Sequence, residues 1–103
     1  KEQWPYKDIP IETTFQSRFG PSEWLQPYTD KTLEALPSLG VTRIMMATPG
    51  FSSDCVETLE EIAIEGQATF KEARGSDFHM VSCLNDSPAH IRMIHTLIKP
   101  YLK

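Results

Sequence analysis

Glu57, Glu61 and Glu65 recur at four-residue spacing in the run Glu57-Thr58-Leu59-Glu60-Glu61-Ile62-Ala63-Ile64-Glu65. If that run is helical, the three carboxylates share one face. Like charges so placed repel by roughly a few tenths of a kcal/mol per pair on an exposed helix. A line of carboxylates can serve as a ladder for cations or protons. It can equally be the solvated side of a surface helix. Just before it comes Pro49-Gly50-Phe51-Ser52-Ser53-Asp54, a tight glycine turn carrying an aromatic side chain. A second loop, Gln16-Ser17-Arg18-Phe19-Gly20-Pro21-Ser22-Glu23-Trp24, offers another aromatic and a guanidinium. Trp24 and Phe51 are flat apolar surfaces, Arg18 can hold an anion, and Glu57 can act as a base. A flat aromatic ligand with peripheral carboxylates suits such a set.

The elements that must position these residues follow from pattern and punctuation. Residues 1–9 are polar and read as an arm. Ile9 to Arg18 contains Ile11, Thr13, Thr14 and Phe15 and predicts a strand, stopped by Gly20-Pro21. Thr29 or Asp30 can cap a helix with Leu33, Leu36 and Leu39 on one stripe. Gly40 ends it, and Pro37 predicts an irregular last turn. The apolar run Val41–Ala47 suits a parallel strand buried on both faces. Ser53 or Asp54 is expected to cap a helix over 54–73, with Glu57 three residues past Asp54 as in a capping box. Phe78–Cys83 is a further short strand. Ser87-Pro88 starts a last helix, which Pro100 stops near Lys99. The order β-α-β-α-β-α predicts an α/β fold with a parallel sheet flanked by helices. In such sheets ligands bind outside the carboxyl ends of the strands, where both loops lie.

Projected at 100° per residue, Cys55, Val56, Leu59, Ile62, Ala63, Gly66 and Phe70 fall on one side of the 54–73 helix. The three glutamates fall opposite, as on a plain amphipathic helix, although Ile64 and Ala68 interrupt their side. His79, His90 and His95 fit no metal-ligand spacing. Cys55 near a helix start is open to two readings, a thiol of lowered pKa or a small buried side chain.

A chain of 103 residues with 40% hydrophobic and 23% charged content suits one soluble globular domain. Its net charge of −4 argues against nucleic acid as a partner. No apolar run reaches the roughly 20 residues needed to span a bilayer. The two cysteines, Cys55 and Cys83, are too few for a disulfide framework or a cysteine-held cluster. These features together suggest a cytoplasmic location.

The strings Phe15–Pro27, Pro49–Ile62 and Cys83-Leu84-Asn85-Asp86-Ser87-Pro88 closely resemble the ferrochelatases in their bacterial form. The resemblance covers nearly the whole chain. It implies insertion of ferrous iron into protoporphyrin IX, the last step of protoheme synthesis, by a three-layer chelatase fold of two Rossmann-like halves. It implies Glu57 as the active-site glutamate, with Glu57, Glu61 and Glu65 handling the metal along a helix that includes a wide π-helical turn. It implies Gln16, Ser17, Arg18, Trp24 and Phe51 as residues on the porphyrin. Protoporphyrin IX and Fe²⁺ enter as substrates, with no cofactor retained, and peripheral membrane association is left open.

The chain departs from the family pattern in two places. Cys55 stands where some members have His. The family's Ser-x-His-x-x-Pro string, which carries a catalytic histidine, does not occur. The expectation is therefore a carboxyl-terminal portion whose missing partner is the amino-terminal half of the same enzyme, and which is inactive alone. The cysteines of the iron–sulfur cluster found in some members are also missing, so no cluster is expected. Three rivals remain. One is a non-catalytic module that holds a porphyrin or divalent metal. Another is a sister tetrapyrrole chelatase using cobalt or nickel. The third is a structural α/β domain with an acidic surface helix.

Overall fold

The computed structural model describes residues 4–102; the arm residues Lys1, Glu2 and Gln3 lie outside them. Two parallel strands, β1 (Arg43–Met46) and β2 (Asp77–Met80), pair in register with Arg43 opposite Asp77 and Met46 opposite Met80. Between them runs a π-helix over Glu57–Gly66 that continues as an α-helix, α2 (Gln67–Glu72). Helix α1 (Thr29–Ala35) precedes β1, and α3 (Pro88–Ile98) follows β2. This is an α/β arrangement with a parallel crossover, as the element order requires.

The expected strand over 9–18 does not form. Phe15 makes a single parallel bridge to Tyr28. Its N–H donates to the Pro27 carbonyl at 2.9 Å, and its own carbonyl accepts from Thr29 N–H at 3.0 Å. Two residues later Ser17 turns left-handed at φ 60°, which ends any extended run. β-branched residues favour a strand only where a pleated neighbour exists to pack on. The expectation of a doubly buried β1 also fails. Ile44 and Met46 are half-buried, while Arg43 and Met45 face outward, and Met45 is 70% exposed.

The end of the first helix follows its punctuation. Pro37 sits in a 3₁₀ turn, Leu36–Leu39, closed by Gly40 in the left-handed region at φ 90°. The end of α2 does not. The left-handed residue there is Arg74, at φ 78°. Gly75 is needed for closeness instead, since a Cβ on it would lie 2.2 Å from Cε2 of Phe70.

The buried apolar side chains are Leu33, Ile62 and Phe70. The Phe70 ring leans on Phe78 of β2 at 6.1 Å between centroids. Leu33 of α1 presses on Gly66, where an added Cβ would meet its Cδ1 at 3.2 Å. This small core holds α1, the long helix and the sheet together. Helix α3 stands largely outside it, with Ile91, Met93, Ile94, Leu97 and Ile98 all exposed. The Cα radius of gyration is 16.4 Å, against about 13 Å for a compact domain of this length. No helix among the described residues is long and apolar enough to cross a membrane.

Candidate active site

The π-helix changes how the carboxylates sit. Its wider turn shifts the buried stripe from the one projected for an ideal α-helix. Thr58, Ile62, Gly66 and Phe70 are buried, whereas Val56 and Leu59 are exposed. Glu57 and Glu61 each precede a buried residue and are half-buried instead of lying opposite the core. Glu65 is exposed and makes no side-chain hydrogen bond among the described residues. Among those residues no three His, Cys, Asp or Glu side chains converge to hold a metal ion. The three glutamates form a line, not a coordination sphere. π-helical turns are rare and concentrate at functional sites.

Glu61 is committed to the loop that leaves Phe15. Its Oε1 accepts from the Ser17 N–H at 2.7 Å, and its Oε2 from the Ser17 hydroxyl at 2.6 Å. Gln16 adds a bond from Nε2 to Oε2 at 3.3 Å and another to the Glu57 carbonyl at 2.9 Å. The left-handed turn at Ser17 lets its N–H and hydroxyl reach the same carboxylate. Trp24 folds back and donates Nε1–H to the Gln16 carbonyl at 3.1 Å. Gln16, Ser17 and Trp24 are thus brought onto the glutamate helix. The exposed Arg18 makes no bond to Glu57 or Glu61 among the described residues; its guanidinium lies 5.5 Å from the centroid of the Tyr28 ring. Phe51 is half-buried in the turn after β1, where its N–H bonds the Thr48 carbonyl at 3.0 Å.

Glu57 keeps its carboxylate out of the Gln16–Ser17 network. The Cys55 thiol, and then the backbone N–H of Glu57 itself, hold its carboxyl below the usual glutamate range against an opposing push from burial. It is therefore an anion at neutral pH. Two grooves of about 380 and 430 Å³ flank α1, and neither is lined by Glu57, Glu61, Trp24 or Phe51.

Residues 1–102 match the family model described as Ferrochelatase. The chain belongs to the ferrochelatase family. It is 56% identical over 88 residues to the ferrochelatase of Vibrio vulnificus (strain YJ016), covering 85% of this chain and 28% of that protein. It is 54% identical over 99 residues to the ferrochelatase of Chelativorans sp. (strain BNC1), covering 96% of this chain and 28% of that protein. The ferrochelatase of Allorhizobium ampelinum is 52% identical over 100 residues, 97% of this chain and 28% of its own length. The chain thus spans a little over a quarter of the length of these ferrochelatases.

The sequence patterns missed the part played by Asp54. Read as a helix cap, it makes no bond to the Glu57 N–H. The helix starts after Val56 without a side-chain cap. The Asp54 carboxylate reaches sideways instead, to Asn85 and Cys83 in the loop after β2 and to Thr58. Those partners hold it below the usual aspartate range, Asn85 most of all. Asn85 in its turn was the available signal, as a residue type that tolerates the left-handed φ of 50° it adopts.

Proposed function

We propose that this chain is part of an enzyme that inserts ferrous iron into protoporphyrin IX, with Glu57 as the carboxylate beside the macrocycle. The observation that carries the reading is the hydrogen-bonded assembly of Gln16 and Ser17 on Glu61, in which Gln16 also donates to the Glu57 carbonyl and accepts at its own carbonyl from the Trp24 indole. Metallation must remove two pyrrole N–H protons, and a fixed carboxylate is a suitable acceptor. Fe²⁺ is the substrate. It sheds water on the way in, and carboxylate oxygens along the helix, Glu65 outermost, can replace that water in passing. Trp24 and Phe51 supply the apolar surface for the ring, and Arg18 a charge for a propionate. Glu61 acts mainly by holding the Gln16–Ser17 loop. The reaction needs no resident cofactor, and the compartment we assign is the cytoplasm.

Turnover in this reading needs the parts of the relatives that this chain does not match. The bare apolar side of α3 and the extended outline of the molecule support that. Packed against the remainder of such an enzyme, α3 would bury Ile91, Ile94 and Ile98.

The test is anaerobic metal insertion by the full-length gene product, followed by loss of the protoporphyrin spectrum. Glu57→Gln is expected to lower kcat by about 10² to 10⁴ while porphyrin binding persists. Equal rates in parent and variant would remove Glu57 from the reaction. Binding of porphyrin without metallation by the parent would favour the non-catalytic module.

A further inference from the structure

We propose that Asp54 and Asn85 form a positioning clasp for Glu57, locking the start of the π-helix to the loop that leaves β2. The proposal rests on the reading of Glu57 given above. The loops after β1 and β2 leave the carboxyl ends of adjacent parallel strands. Asp54 lies on the first loop, three residues before Glu57, and Asn85 on the second. The Asp54 N–H donates to Asn85 Oδ1 at 2.8 Å, and Asn85 Nδ2 donates back to Asp54 Oδ2 at 2.9 Å. A reciprocal pair fixes orientation as well as distance. Cys83 N–H adds a bond to the same Oδ2 at 3.3 Å.

The other Asp54 oxygen accepts from the Thr58 hydroxyl at 2.9 Å, and that hydroxyl oxygen accepts from the Cys55 N–H at 2.9 Å. Thr58 is fully buried, at 0% exposure, and adjoins Glu57. The path from the second loop to the base is therefore Asn85, Asp54, Thr58. It takes the place of the side-chain cap that the helix lacks.

Asn85 is itself held. Its N–H donates to the Ser52 carbonyl at 2.9 Å, and its Nδ2 also reaches the Cys83 carbonyl at 3.1 Å. Its own carbonyl meets Nδ1 of the buried His90 in the first turn of α3. A carbonyl only accepts, so His90 carries its proton on Nδ1. The clasp is thereby tied to α3 as well. Neither Asp54 nor Asn85 is needed to touch substrate. Both act through the placement of Glu57.

Asn85 is exposed, so Asn85→Ala cuts the clasp without opening the core. In the full-length gene product, that change is expected to lower kcat by about 10- to 100-fold, with the porphyrin KM held within about twofold. Asn85→Asp keeps an acceptor for the Asp54 N–H but sets a carboxylate against the Asp54 carboxylate and the Cys83 carbonyl, and is expected to cost at least as much. In the chain itself, Asn85→Ala is expected to speed amide hydrogen exchange over residues 55–61 by about tenfold or more and to leave the β1 and β2 amides unchanged. Unchanged exchange at 55–61 overturns the clasp, as does a kcat for Asn85→Ala equal to that of an active parent, or an Asn85→Asp variant as active as the parent. Faster exchange at 55–61 in a parent that never metallates porphyrin supports the clasp and overturns the reading of the site.

Discussion

Around Glu57 the chain is tied by bonds between residues 29 to 45 positions apart, from Cys83 to Asp54 and from Gln16 and Ser17 to Glu61. In α3 the bonds are local. Ser87 accepts from the His90 N–H at 3.4 Å, Pro88 opens the first turn, and Thr96 bonds back to the Arg92 carbonyl at 2.8 Å. Helix α3 owes its existence to its own residues and leaves its apolar side bare. The π-helix is the reverse case. It lacks a cap of its own, and its geometry is supported by contacts from two distant loops. A segment built to hold a reactive group at one point takes its constraints from outside itself.

The largest effect that sharpens this contrast, beyond Glu57→Gln, is expected at the core under the long helix. Phe70→Ala removes a fully buried ring and should cost about 3–5 kcal/mol in urea unfolding of this chain. A cost near zero would mean that the long helix is no better anchored than α3. Glu61→Ala comes next. It removes the acceptor of the Ser17 N–H and hydroxyl and the weaker of two Gln16 acceptors, with an expected loss of about 1–3 kcal/mol. The Trp24 fluorescence spectrum should shift with it, and a spectrum identical to the parent's would cut the link from Glu61 to the indole.

Acid provides a milder perturbation. The carboxyls of Glu57 and Asp54 are held below their usual values of 4.5 and 3.8. Their hydrogen bonds therefore stabilise the folded chain fully at neutral pH. That contribution is lost progressively as pH falls below those values and through the lower folded ones. Urea midpoints measured across that window should decline, and should decline less in Asp54→Asn. Equal slopes in the two would remove Asp54 from the effect. The smallest change is expected in α3, where Ile94→Ala should stay within about 0.5 kcal/mol. A larger loss would show that α3 is packed after all.

What the sequence made legible divides along the same line. Helix α3 could be read to within a residue from Ser87-Pro88, the apolar spacing and Pro100, because all its determinants are local. Pro37 and Gly40 marked the end of the first helix for the same reason. The kinship of the strings around Trp24 and Glu57 was legible from their length. The strand expected over 9–18 was not there, because a strand exists only with a partner and Phe15 finds one bridge. The phase of the glutamates was misjudged, because helix width depends on which loops brace it, and hydrophobic period assumes an α-helix. Asp54 was misread as a local cap, since nothing in its neighbours announces a partner at Asn85.

Gly75 and Phe70 deserve to be considered as one heritable unit. With no more than a hydrogen atom between the backbone at 75 and the ring at 70, even the mildest exchange, Gly75→Ala, collides with the phenyl group. A smaller residue at 70 alone leaves a hole beside Phe78. Each substitution is harmful by itself, and a benign change requires both together. Drift at these two positions is therefore blocked one step at a time, and a lineage crosses that barrier only through a less stable intermediate.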